Sequence, residues 1–147
     1  MKQWLYFQMS GQGPYYGQAA WFTYRHTEFL PSAIDRYRQE VQRVIGVLDA
    51  ALTHRPYLIG ERCTIADLAF ITWDLMVPGI CEEADFMATL SEDFPHWTAW
   101  HNRLLERPAV KRALKKKQEA LDQAGTGVIP TALGRSSTVG SSIYIGN

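Results

Sequence analysis

The chain of 147 residues has little cysteine, with Cys63 and Cys81 alone, and no excess charge, because fifteen basic and fifteen acidic residues cancel. Two thiols cannot build a disulfide framework or a four-thiolate zinc site, and their scarcity fits a reducing compartment. Zero net charge argues against a broad electrostatic footprint for nucleic acid or an anionic membrane. No run approaches the roughly 20 consecutive apolar residues of a membrane span. The opening Met1 to Phe7 lacks the long apolar run and small-residue cleavage site of a secretory signal. The glycine-rich Gly11 to Gly17 has no Gly-Lys-Ser/Thr, and His96 and His101 are five apart, not the four that sets two metal ligands on one helical face. These absences predict a cytoplasmic protein without a metal, a nucleic-acid partner or a membrane.

What remains is apolar and aromatic: 46% hydrophobic and 12% aromatic residues are enough for one sizeable core. The composition changes near Gly125. All five tryptophans precede it, whereas Gly, Ser and Thr dominate from Gly125 to Asn147 and Arg135 is the only charge there. The reading is a folded domain over 1–124 and a flexible tail over 125–147, with Ile143-Tyr144-Ile145 as a weak docking motif.

The domain reads as helices. Ile34, Tyr37, Val41, Val44, Leu48 and Leu52 recur every three or four residues with a polar face between them, opened by Pro31-Ser32 and stopped by Pro56. A second helix starts at Thr64-Ile65-Ala66-Asp67, where Thr64 and Asp67 can cap each other's backbone amides. It is apolar almost all round through Val77, which predicts a central place in a bundle, and Pro78-Gly79 is expected to end it. A third opens at Pro95 with Trp97, Trp100, His101 and Leu104 inward. After Arg107-Pro108 a fourth carries Val110, Ala113, Leu114 and Leu121 on one side and Lys111 to Lys117 on the other. Cys81 to Phe94 is acidic and less regular. The amino-terminal segment reads as a helix broken around Gly11-Gln12-Gly13-Pro14 and resumed through Tyr16 to His26. No alternating run suggests a strand.

The order of this punctuation is specific. Tyr57-Leu58-Ile59-Gly60, Cys63-Thr64-Ile65-Ala66-Asp67-Leu68-Ala69-Phe70, Phe94-Pro95 with Trp97 and Trp100, and Arg107-Pro108-Ala109-Val110 together resemble the carboxy-terminal helical domain of cytosolic glutathione transferases. The segment Gln3 to Ala19 is similar to the fungal branch related to the yeast nitrogen-catabolite repressor and prion protein. The resemblance covers about residues 2–120 and implies an all-α helical bundle. It also implies glutathione as the cofactor, and Thr64 and Asp67 as the family's structural cap. Family members carry a thioredoxin-like domain that activates the glutathione thiol, and its motifs have no counterpart here.

In the family the amino-terminal helix borders the electrophile pocket. The resemblance therefore points to Tyr6, Ser10, Gln12, Tyr15 and Tyr16 as substrate-binding residues, with backbone amides freed at the glycine-rich break as further donors; tyrosine offers an apolar face and one polar handle. No residue stands out as catalytic. Trp4, Tyr6, Phe7, Tyr15, Tyr16 and Trp21 crowd surfaces that a thioredoxin-like domain or a second subunit covers in the family, so an apolar patch is expected to be exposed. Three functions follow as expectations. The first is a glutathione transferase-like helical domain that positions a small hydrophobic electrophile for conjugation or isomerisation. The second is a non-catalytic binding or homodimerisation module. The third is a free-standing helical enzyme acting on a small metabolite of fungal secondary metabolism.

Overall fold

The computed structural model describes residues 1–81, 84–123, 129–130 and 136–137, and gives only backbone at 84–88 and in the last two pairs. The tail expected over 125–147 lies almost wholly outside the described residues. The elements are α1 (Lys2–Phe7), a π-helix (Gln8–Gln12), α2 (Gly13–Tyr24), α3 (Pro31–Leu52), α4 (Ile65–Asp74), α5 (Val77–Ile80), α6 (Ala84–Asp93), α7 (Pro95–Leu105) and α8 (Pro108–Gln123). Two short strands, β1 (Ile129–Pro130) and β2 (Ser136–Ser137), pair antiparallel, a ladder that the sequence pattern did not suggest. The fold is an all-α bundle.

Helix α3 is its axis, packed mainly against α2 and α7, while α4 lies between α1 and α7. Val41, Val44, Ile45 and Leu48 of α3 meet Phe70 of α4, Trp100 and Leu104 of α7 and Tyr16 and Ala19 of α2, all buried. Each fully buried aliphatic side chain contributes about 1.5–3 kcal/mol of burial free energy. Pro31 begins α3 and Pro95 begins α7, positions where the missing amide hydrogen costs nothing. The start of α7 lacks a cap of its own; Asp49 of α3 supplies one, its Oδ1 accepting from the Trp97 amide at 2.8 Å.

The loop before α4 is fixed by one carboxylate. Thr64 is the N-cap: its hydroxyl accepts from the Ala66 amide at 3.2 Å, and Asp67 Oδ2 accepts from the Thr64 amide at 2.8 Å. Asp67 Oδ1 accepts from the Leu58 amide at 2.8 Å and from the Trp100 indole at 3.0 Å. Gly60 turns the loop at φ +80°, a conformation that side-chain-bearing residues rarely adopt.

Five local expectations change. The amino-terminal segment is not broken at Gly11-Gln12-Gly13-Pro14. It widens into a π-helix, in which the Gly13 amide donates to Gln8 O, so the backbone there does not release free donors. The second helix ends at Asp74, and Pro78-Gly79 lie inside the separate short α5. Gly79 lets Tyr24 pack there: a Cβ on it would stand 2.6 Å from Tyr24 Oη. Helix α4 is not enclosed all round, because Ile65 is 60% and Leu68 39% exposed. The acidic stretch after Cys81 contains α6 rather than irregular chain. On α8, Val110 is buried and Leu114 and Leu121 are half-buried, but Ala113 faces outward.

Candidate functional site

The segment from α1 through α2 presents two surfaces of different chemistry. Its outer surface is apolar: Tyr6 is 69%, Met9 73% and Trp21 50% exposed. Of the aromatics expected on this surface, Tyr6 and Trp21 are thus left uncovered, whereas Tyr16 is sealed by the chain's own atoms. Exposed apolar groups clustered on consecutive helical turns mark a binding surface more often than scattered ones do. Its inner surface is anchored. Trp4 and Phe7 lean on the core, with their rings 6.1 Å apart at 81°, and Phe7 meets Phe70 at 6.3 Å.

The π-helix joins the two surfaces. Its wider turn places the Gln12 side chain fully inside the protein, where Nε2 donates to Phe70 O at 3.1 Å and to Asp74 Oδ1 at 2.7 Å. Such widened turns recur at functional sites because they re-aim one side chain without ending the helix. Asp74 is itself buried, and that burial, only partly offset by the Gln12 hydrogen bond, pushes its carboxyl up to about 8. The Tyr16 hydroxyl and the Trp97 indole lie against this carboxyl without closing hydrogen bonds of good geometry. His101 Nδ1 stands 3.9 Å from Asp74 Oδ2, and burial lowers its imidazole to about 4. At neutral pH both groups are therefore uncharged. Burial also raises the Tyr16 hydroxyl well above its usual value.

The structure divides the five residues that the sequence assigned to substrate. Tyr6 and Ser10 are exposed and Tyr15 is half-buried, its ring 5.7 Å from the Arg43 guanidinium carbon. Gln12 and Tyr16 are fully buried and turn to Asp74 instead. As placed, they support the π-helix from within while Tyr6, Ser10 and Tyr15 stand outside it. The Ser10 hydroxyl is already committed, donating to Tyr6 O at 2.7 Å. Sequence reasoning missed Asp74, Trp97 and His101 as one polar cluster. A carboxylate in the middle of the apolar run Leu68 to Val77 was the available signal.

The outer face of α1 and the π-helix carries little charge. From Lys2 to Gln12 the sequence carries no cation beyond Lys2 itself, and Ser10 spends its hydroxyl on the backbone. The two carboxylates of glutathione therefore find no donor cluster on α1 or the π-helix. Nor does a thiol near the loop substitute for an activated one: burial pushes Cys63 up rather than down. Among the described residues no cluster of three or more metal-ligating side chains occurs, and no helix is long and apolar enough to cross a membrane.

Known proteins match this arrangement. Residues 14–108 match the family model described as glutathione S-transferase, C-terminal domain. The glutathione S-transferase-like protein tpcF of Aspergillus fumigatus is 45% identical over 120 residues, 76% of this chain and 52% of that protein. The glutathione transferase URE2P6 from Phanerochaete chrysosporium, solved with oxidized glutathione, superposes with a TM-score of 0.73 at 45% identity, covering 80% of this chain and 52% of that one. The nitrogen regulation fragment of the yeast prion protein Ure2p superposes at 0.67 with 38% identity, covering 77% of this chain and 52% of its own. The chain spans about half the length of the curated relatives it matches.

Proposed function

The chain belongs to the glutathione S-transferase C-terminal domain family, and from that premise we propose that it supplies the apolar, electrophile-holding side of a glutathione transferase site. The observation that carries this reading is the exposed pair Tyr6 and Met9 on α1 and the π-helix, with the half-buried Tyr15 on α2, backed by the buried Gln12–Asp74 link. Glutathione, when bound, supplies the sulfur nucleophile. Its binding and ionisation belong to the part of the relatives that these residues do not match. This chain's residues hold the electrophile against an apolar wall and exclude water, so that the reacting atoms meet in one orientation. Tyr6 and Tyr15 offer ring faces, and their hydroxyls can hydrogen-bond a polar substituent of the substrate. A cytoplasmic setting, where thiols stay reduced, suits the reading.

S-hexylglutathione, which joins an apolar tail to the tripeptide, tests it. The tail should make the conjugate bind this chain about tenfold more tightly than glutathione itself, read by tryptophan fluorescence. Tyr6→Ser together with Met9→Ser should remove the difference. Equal affinities, or an unaffected double variant, would sink the proposal. Unaided conjugation of glutathione to an electrophile by this chain would refute the division of labour. A second reading rests on the exposure of Trp21 and Phe29, at 50% and 57%: the face is a docking surface for another domain or a second copy. Sedimentation separates the two, since a monomer that still binds S-hexylglutathione favours the first.

A further inference from the structure

Helices α2, α4 and α7 meet at one carboxyl whose proton no neighbour takes up. Asp74 is the last residue of α4; Gln12 reaches it from the π-helix, Tyr16 from α2, and Trp97 and His101 from α7. Its Oδ1 accepts from Gln12 Nε2 at 2.7 Å, whereas Oδ2 has no hydrogen-bond partner. Burial keeps the carboxyl protonated at neutral pH, so the proton belongs on Oδ2. There His101 Nδ1, 3.9 Å away, is too far to accept it. What lies against the carboxyl instead is a pair of donors, the Trp97 indole, which can only donate, and the Tyr16 hydroxyl, and neither closes a bond.

The neutral carboxyl thus faces donors with a donor of its own. Native interiors leave few buried polar atoms unmatched, so three at one junction need a reason. Removing the proton removes the mismatch. A carboxylate only accepts, offers Oδ2 to both donors, and makes charge-assisted hydrogen bonds roughly twice as strong as neutral ones. A cavity of about 110 Å³, walled in part by Trp97, Thr98 and His101, leaves the α7 side chains room to turn toward it. Gln12 also donates to Phe70 O, so tightening at Asp74 passes to the widened turn that contains Gln12. We propose that Asp74 is a proton-operated latch: on ionisation its Oδ2 draws in the Trp97 indole and the Tyr16 hydroxyl, closing α7 and α2 onto α4 and seating the π-helix more firmly through Gln12. The latch owes nothing to the transferase reading.

The groups around it leave Asp74 in control. Among the described residues no lysine or arginine pairs with it. Burial lowers His101 to about 4 and raises Tyr16 well above its usual value, so both stay uncharged between about pH 6 and 9. Cys81, after α5, acts on Tyr16, and Asp49 of α3 is engaged with the Trp97 amide at 2.8 Å. Total stability still falls as Asp74 ionises, because burial disfavours the charge relative to the unfolded chain. The latch is a rearrangement within the folded state.

N–H NMR of the whole chain between about pH 6 and 9.5 tests it. The Trp97 indole signal, identified by its loss in Trp97→Phe, and the Gln12 side-chain amide should move downfield together in one step centred at about 8. Over that step the Gly13 amide, bonded to Gln8 O, should gain about tenfold in protection from exchange, once the intrinsic rise of exchange with pH is removed. Asp74→Asn should leave all three signals level. Trp97→Phe and Tyr16→Phe each withdraw a donor from the carboxylate, and each should raise the midpoint, followed at Gln12, by about one pH unit. Should Asp74→Asn not fold, these two variants decide. No step, a step that survives Asp74→Asn, an indole that moves upfield, or a midpoint unmoved in both phenylalanine variants overturns the proposal.

Discussion

Asp67 and Asp74 stand seven residues apart on α4, and both are shut away from water, at 0% and 1% exposure. Around Asp67 the chain has gathered four donors: the Leu58 amide, the Thr64 amide and hydroxyl, and the Trp100 indole. Around Asp74 the described residues supply a single well-formed donor, Gln12 Nε2, with His101 nearby but not bonded. Equal burial thus produces unequal roles. A carboxylate solvated by protein donors holds a loop, a helix start and a neighbouring helix together. One with few donors keeps its proton and leaves its environment unfinished, which is where ligand or proton chemistry has something to act on.

The sharpest way to break the comparison is Asp67→Ala. It strands the Leu58 and Thr64 amides and the Trp100 indole in the interior, and should lower unfolding free energy by about 3–5 kcal/mol in urea titrations. A loss below about 1 kcal/mol would mean that the donor count does not distinguish the two sites.

Titration exposes the other member of the pair. Asp74 rises from 3.8 unfolded to about 8 folded, so the native state holds the extra proton between those values and stability falls as pH climbs through them. His101 drops from 6.5 to about 4, so there the unfolded chain holds the extra proton and stability rises with pH over that span. The two slopes oppose each other between about pH 4 and 6.5, leaving a decline of about 2 kcal/mol between about 6.5 and 8. Asp74→Asn should remove that decline and leave a rise at lower pH. A wild-type profile that stays level to pH 8 would contradict the neutral, buried carboxyl.

Gln12→Leu removes the one good donor. It should cost about 1–2 kcal/mol and move the Asp74 titration still higher, followed by carbon NMR of the carboxyl. The smallest effect belongs outside the cluster. Met9→Ser on the exposed face should change stability by no more than about 0.5 kcal/mol, and a larger loss would show that this face is already covered.

Much of this was legible from spacing. The stripe of α3 from Ile34 to Leu52 is a matter of period, and five of the six residues named for it are buried, with Tyr37 half-buried. Thr64 and Asp67 are a local pattern, three apart, that backbone geometry alone makes meaningful. What escaped were effects of distant partners. Nothing between Gln8 and Gln12 announces a π-turn, because its reason is Asp74, 62 positions away. Proline and glycine at 78 and 79 signal a stop to any local reading; the space beside Tyr24 explains why a glycine belongs inside a short helix instead. Helix α6 hid behind its acidic composition, which speaks of solvent rather than of shape. Of the candidate ligand residues, sequence could nominate Tyr6 and Tyr16 alike, and only three-dimensional placement set one outside and the other in.

The π-helix carries a surplus of one residue over an ordinary turn, so this turn can give up a residue while the helices on either side stay in phase. Deleting a single residue between Gln8 and Gln12 would return the segment to ordinary winding and leave Trp4 and Phe7 on their footing against the core. What such a deletion takes away is the widened turn that seats Gln12 against Asp74. The outward face and the inner anchor of this segment are therefore separable by the length of one turn.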